Sequence, residues 1–194
     1  MDNTEHMSAA EYRALLEQYP SQEEKNAARL RNYANSDRGR IFEHLLMKGC
    51  QYYADRRRAV IGKVYEPYRC VKKLDGGRFV GQWTGRAEPD FKGVLRSGQA
   101  IAFEAKSTKK SRIQQNALTE EQAEWLNIQD EMGALAFICV QIGDRFFSVP
   151  WLVWRDMRST FGKKFLMPGD IERYEVIYDG AVRFLDYVSG TCLD

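Results

Sequence analysis

Three charged residues interrupt the most strand-like part of the chain. Asp90, Glu104 and Lys106 lie in the segment from Pro89 to Lys106, PDFKGVLRSGQAIAFEAK. Glu104 and Lys106 are two apart, so on a strand both leave by the same face. Asp90 opens an apolar run, 91–95, which turns at Arg96-Ser97-Gly98-Gln99 into a second run, 100–105. That turn predicts an antiparallel hairpin, which brings Asp90 beside Glu104. Two converging carboxylates next to an ammonium suit a hard divalent cation, with the lysine near its bound water. The plain alternative is a surface hairpin with an exposed ion pair. Charge inside an apolar strand needs a partner to offset its burial, and this favours the metal site.

Other chemistries lack their residues. The chain has only His6 and His44, too few for a zinc–histidine centre or a histidine-based triad. Its cysteines, Cys50, Cys70, Cys139 and Cys192, are widely spaced with no CxxC. They read as reduced thiols of a cytoplasmic protein rather than a disulfide frame or zinc site. No apolar run reaches the length of a membrane span and the start of the sequence lacks a signal-peptide core, so no membrane is expected. A length of 194 residues with 44% hydrophobic side chains suits one domain with a proper core plus an appendage.

The net charge of +2 conceals an uneven distribution. Residues 1–55 carry −2, residues 56–112 carry +10 and residues 113–194 carry −6. The acidic pair therefore sits in the only strongly basic block. Cations to hold phosphates around acids to hold metal are what a nuclease needs. Within or beside this block Lys109, Lys110, Arg112, Arg78, Arg86 and Lys92 are the candidate DNA-binding residues. Each taken alone also reads as a solvated surface charge.

The elements that must position these groups follow from pattern. Residues 1–7 read as unstructured. Capping-box signatures at Ser8–Glu11 and Ser21–Glu24 predict two helices, to about Gln18 and about Tyr33. Asn35-Ser-Asp-Arg-Gly39 predicts a break. A helix follows, with Ile41, Phe42, Leu45, Leu46, Gly49, Tyr52 and Tyr53 on one stripe. It ends in Asp55-Arg56-Arg57-Arg58, cations that suit a helix C-terminus and also phosphate. Residues 59–73 are β-rich, and 74–88 read as a glycine-rich loop or long hairpin. Thr119 caps a helix carrying Trp125, Leu126 and Met132 on its apolar side and stopping at Gly133. Residues 134–142 form an apolar run of strand length, buried on both faces, and 145–149 its partner. Trp125, Trp151 and Trp154 read as core. The order predicts an α/β fold, a mixed sheet flanked by helices, with a crossover between the strand bearing Glu104 and the strand at 134–142.

Read in order, Asp37-Arg-Gly39, Phe42-Glu43, residues 59–63, Pro89-Asp90-Phe-Lys-Gly93, Phe103-Glu104-Ala-Lys106-Ser-Thr108 and Leu118–Gln122 resemble the RecU-type Holliday junction resolvases of the PD-(D/E)XK nuclease superfamily. The likeness runs from about Asp37 to Trp154. It implies a restriction-endonuclease-like fold and a homodimeric enzyme that uses Mg²⁺, with Mn²⁺ as a substitute, to nick four-way DNA junctions symmetrically. It implies Asp90 and Glu104 as metal ligands and Lys106 as the group that orients water or stabilises the transition state. It also sets a nuclease domain at 37–194 behind a helical arm at 1–36. Gln122 falls where the family has a further metal-site glutamine, although three residues after Thr119 it equally completes a capping box. Glu43 matches a first-helix acid that several relatives place near the metal, and reads equally as a solvated helix residue. Two other functions stay open on the residues alone: a related nuclease acting on linear DNA, and a non-catalytic DNA-binding accessory protein. The intact Asp90, Glu104 and Lys106 speak against the second.

Overall fold

The strand pairing that begins around Asp90 sets the architecture. The structure, a computed structural model, describes residues 22–65, 68–83 and 88–190, with side chains for 36–65, 69–82 and 88–190. In chain order its first elements are α1 (Gln22–Asp55), β1 (Ala59–Lys63), β2 (Tyr68–Lys73), β3 (Phe79–Trp83), β4 (Phe91–Leu95) and β5 (Ala100–Thr108). Then come β6 (Ile113–Gln114), α2 (Glu120–Glu131), β7 (Leu135–Ile142), β8 (Arg145–Pro150), α3 (Trp151–Arg155) and α4 (Met157–Phe161). The chain closes with β9 (Phe165–Leu166), β10 (Val176–Tyr178) and β11 (Val182–Tyr187). Two compact units are present, Met1–Arg38 and Gly39–Asp194. The expected helix over 8–18 lies outside the described residues, as does Cys192. No helix among the described residues is long and apolar enough to cross a membrane.

The main sheet runs β1-β4-β5-β7-β8. Only β5 and β7 are parallel; the other neighbours are antiparallel. A parallel pair requires a crossover, and α2 supplies it, as the sequence order predicts. β7 is the continuous apolar run LAFICVQI and is almost wholly buried, which is what a central strand covered on both faces requires.

One face of the sheet is built on aromatics. Phe91, Phe103 and Phe137 occupy matched positions on three adjacent strands and stack at 4.8 and 4.6 Å between ring centroids. Phe184 of β11 leans on Phe103 at 4.8 Å, and Tyr53 of α1 meets Phe184 edge-on at 5.0 Å. The Tyr53 hydroxyl also accepts from the Leu185 amide at 2.9 Å. Phe42 of α1 stacks on Phe146 of β8. α2 lies on the opposite face, tied to α3 by the Trp151 indole donating to Asn127 at 3.2 Å.

Several expectations change. The predicted break at 35–39 does not form, because α1 is continuous from Gln22 to Asp55. Asn, Ser, Asp and Gly each cost only a fraction of a kcal/mol to about 1 kcal/mol against alanine, and without proline the helix propagates through them. Met132 is not on the apolar side of α2 but 80% exposed, at the C-cap beside Gly133 with φ +86°. Trp125 is half-buried and outside the apolar core, whereas Trp151 and Trp154 belong to it. Of the two readings of 74–88, the described part forms a hairpin, β2 pairing antiparallel with β3 and its described side chains exposed, while 84–87 lie outside the described residues. Of the cations that follow α1, Arg58 is bound to Asp186 at 2.7 Å and Arg56 lies over the Tyr52 ring.

Gly49 shows how closely α1 approaches β11. A Cβ at this position would lie 2.2 Å from the Val182 carbonyl oxygen, in backbone that cannot move aside cheaply. Gly49→Ala is expected to cost about 1–3 kcal/mol despite alanine's better helix propensity. Gly39, in the same helix with nothing within 4 Å of such a Cβ, makes the control. Gly39→Ala is expected to stabilise by about 0.5–1 kcal/mol. Urea midpoints that move the same way in both variants would refute the close-packing account.

Candidate active site

The β4–β5 register places the acidic pair. Phe91 faces Phe103, so one step further out Asp90 comes opposite Glu104. The Ala105 amide donates to Asp90 Oδ2 at 2.8 Å, and the Val64 amide donates to the Asp90 carbonyl at 2.8 Å. Both bonds fix Asp90 just where β4 begins. Glu104 is 1% exposed, a carboxylate inside the sheet.

α2 completes the cluster. Its N-cap Thr119 and Gln122 form a full capping box, with Thr119 Oγ1 accepting from the Gln122 amide and Gln122 Oε1 from the Thr119 amide, each at 3.2 Å. The same carboxamide reaches β5: Nε2 donates to Glu104 Oε2 at 2.8 Å, and Oε1 accepts from Lys106 Nζ at 3.0 Å. Lys106 Nζ also donates to Glu104 Oε2 at 3.2 Å. The capping-box reading of Gln122 holds, and the cap fixes the amide that also bonds Glu104 and Lys106.

The electrostatics of the cluster centre on Glu104. Glu104 is pushed up to about 8, by burial first and by the neighbouring Asp90 charge second, while Lys106 pulls it down. A buried carboxyl whose proton affinity is raised by burial and by the charge of a neighbouring acid fits a hard divalent ion. Among the described residues no group of three or more His, Cys, Asp or Glu gathers at one point. A metal here would take Asp90, Glu104, neutral oxygens such as that of Gln122, and water. The sign of the pH effect follows. A carboxyl held above its unfolded value of 4.5 contributes stability that is complete below pH 4.5 and lost as pH rises through about 8. The metal-free protein is expected to melt at progressively lower temperature over that window, with Mg²⁺ restoring more at pH 8 than at pH 5. A flat melting profile from pH 5 to 8.5 would count against it.

The remaining candidates are spread out. Glu43 is engaged by Lys63 of β1 in an ion pair and adds no third acid to the Asp90–Glu104 pair. Lys63 ends β1 opposite Phe91, and no local feature of the sequence marks it as the partner of Glu43. Lys109, Lys110 and Arg112 lie on the exposed loop after β5, with Arg112 over the Phe165 ring at 4.5 Å. Arg78 is exposed on the β2–β3 hairpin, far along the chain from the carboxylates. Lys92 bonds Glu88 at 2.6 Å and stands 5.1 Å from the Trp125 ring centroid. Arg86 lies outside the described residues.

The model of the family RecU, recombination protein U, matches residues 37–190. Curated proteins yield no match. Among solved structures, the chain is similar to the 1.6 Å structure of Hjc from Archaeoglobus fulgidus, a Holliday junction resolvase of an archaeal hyperthermophile. Identity is 15% and the TM-score 0.37, over 60% of this chain and 75% of that one.

Proposed function

The chain belongs to the recombination protein U family, and from that premise we propose that it is a Mg²⁺-dependent endonuclease resolving four-way DNA junctions by paired nicks. The observation that carries this reading is the buried Glu104, bonded to Lys106 and Gln122 and set beside Asp90. Asp90 and Glu104 would hold the ion, with Gln122 the further candidate ligand. When bound, the divalent ion lowers the pKa of a water and neutralises charge developing on the phosphate. Lys106, partly exposed at the rim of the pair, directs its ammonium at the attacking water or at the phosphate oxygens in the transition state. Gln122 keeps that ammonium and the Glu104 carboxylate in register. Lys109, Lys110 and Arg112, without ion-pair partners among the described residues, hold backbone phosphate beyond the strand end. Symmetric nicking needs two such sites, hence a homodimer, with the nuclease domain at 37–194. The setting is the cytoplasm.

The test is incubation with a labelled four-way junction and with linear duplex of the same sequence, with and without Mg²⁺. Symmetric nicks in the junction alone, lost in Lys106→Ala, are expected. Equal cutting of the linear duplex would overturn junction resolution in favour of a general nuclease. No cutting in Mg²⁺ or Mn²⁺ would leave a DNA-binding accessory protein.

A further inference from the structure

Trp125 is an indole without a core to fill. Trp151 and Trp154 are 3% and 1% exposed, but Trp125 is half-buried and outside the apolar cluster. It follows Gln122 by three positions on α2, so the two side chains are neighbours on one helix face. Gln122 touches Glu104 and Lys106. Lys92 follows Asp90 by two positions, so it leaves the sheet on the same side. Its ammonium lies 5.1 Å from the Trp125 ring centroid, within cation–π range, while Glu88 takes one of its hydrogens. Opposite Lys92 on β5 stands Ala102, which is fully buried. A large aromatic surface thus stands at the edge of the candidate nuclease site, partly open to solvent and steadied by a cation.

Resting on the nuclease reading above, we propose that Trp125 is a stacking platform for the nucleobase next to the scissile phosphate. An indole accepts any base, because every base has a π-face. A base inside continuous duplex is already stacked on its neighbours and cannot use the platform without being drawn out of the helix. A base at a branch point has lost part of its stacking, so it engages Trp125 at little expense. The residue therefore sets where cutting occurs: steps whose bases have left the helical stack are preferred over continuous duplex. Lys92, beside the ring, supplies a positive charge for the phosphate that accompanies the stacked base.

The experiment places 2-aminopurine at each position flanking the cut in a four-way junction, binds full-length protein in EDTA, and reads fluorescence. Cleavage rates in Mg²⁺ are measured alongside, and melting curves verify folding. The wild type is expected to quench the probe at one flanking position. Trp125→Leu, which keeps apolar bulk but has no π-face, is expected to lose that quench and to cut about tenfold more slowly. Trp125→Phe is expected to retain the quench and most of the rate. If the wild type cuts junctions and Trp125→Leu matches it in quench and rate, the platform is overturned and the nuclease reading stands. If Trp125→Leu and Trp125→Phe are impaired equally, the ring's π-face is not what matters and the platform also falls. If the wild type cuts nothing in either metal, the nuclease reading fails and takes the platform with it.

Discussion

Glu104→Gln is expected to lower junction cutting by about 10³-fold while making the metal-free protein more stable at pH 8. The two effects have one cause. Glu104 is buried in the sheet, beside Asp90, and its carboxyl is pushed up to about 8. At pH 8 the folded protein therefore either carries a costly buried charge or takes up a proton that the unfolded chain would not. Glutamine has nearly the same shape, can still meet Gln122 and Lys106, and carries no charge. Relief of burial and of repulsion from Asp90 is expected to contribute on the order of 1–4 kcal/mol at pH 8, the scale of keeping so raised a carboxyl charged. The sign reverses nothing at low pH. Below pH 4.5 Glu104 is protonated in both states, so the advantage of glutamine disappears there. Urea titrations of both proteins at pH 5 and pH 8, without metal, measure it. A variant that is inactive but equally stable at both pH values would mean that Glu104 carries no electrostatic burden. A variant that still cuts would remove it from the site.

This trade of stability for a charged site also explains what could be read from the sequence. Asp90, Glu104 and Lys106 were legible because acids and a lysine in an apolar strand violate the period-two pattern that surrounds them. The turn at 96–99 then fixed their pairing, and the register Phe91 to Phe103 follows from it. Gln122 was legible as a cap, and the same carboxamide that caps α2 also bonds Glu104. The Glu43–Lys63 ion pair was not, since nothing local says which charge across a helix and a strand will meet. Trp125 was misread as core because the helical period gives the face of a residue but not whether a neighbour covers it. The continuous α1 was missed for a related reason. Local preference at 35–39 favours a break by amounts that helix propagation on both sides overrides.

Phe103→Ala is expected to cost about 3–5 kcal/mol, the largest stability loss of any single change considered. Its ring lies between Phe91 at 4.8 Å and Phe137 at 4.6 Å, with Phe184 at 4.8 Å, and it is fully buried. Removing it leaves three aromatic neighbours facing a void that the paired strands of the sheet cannot close. The loss is also expected at the site, because Phe103 is opposite Phe91 in the pair that sets Asp90 against Glu104. Phe103→Leu separates the two effects. It keeps most of the buried area and is expected to cost much less stability, so any shortfall in cutting by the folded variant reports displaced carboxylates rather than unfolding. Urea midpoints and single-turnover cutting rates measured together decide it. A Phe103→Ala protein with the wild-type midpoint would show that the stack does not hold the sheet. A Phe103→Leu protein that loses stability but cuts at the wild-type rate would show that the stack supports the fold without positioning the acids.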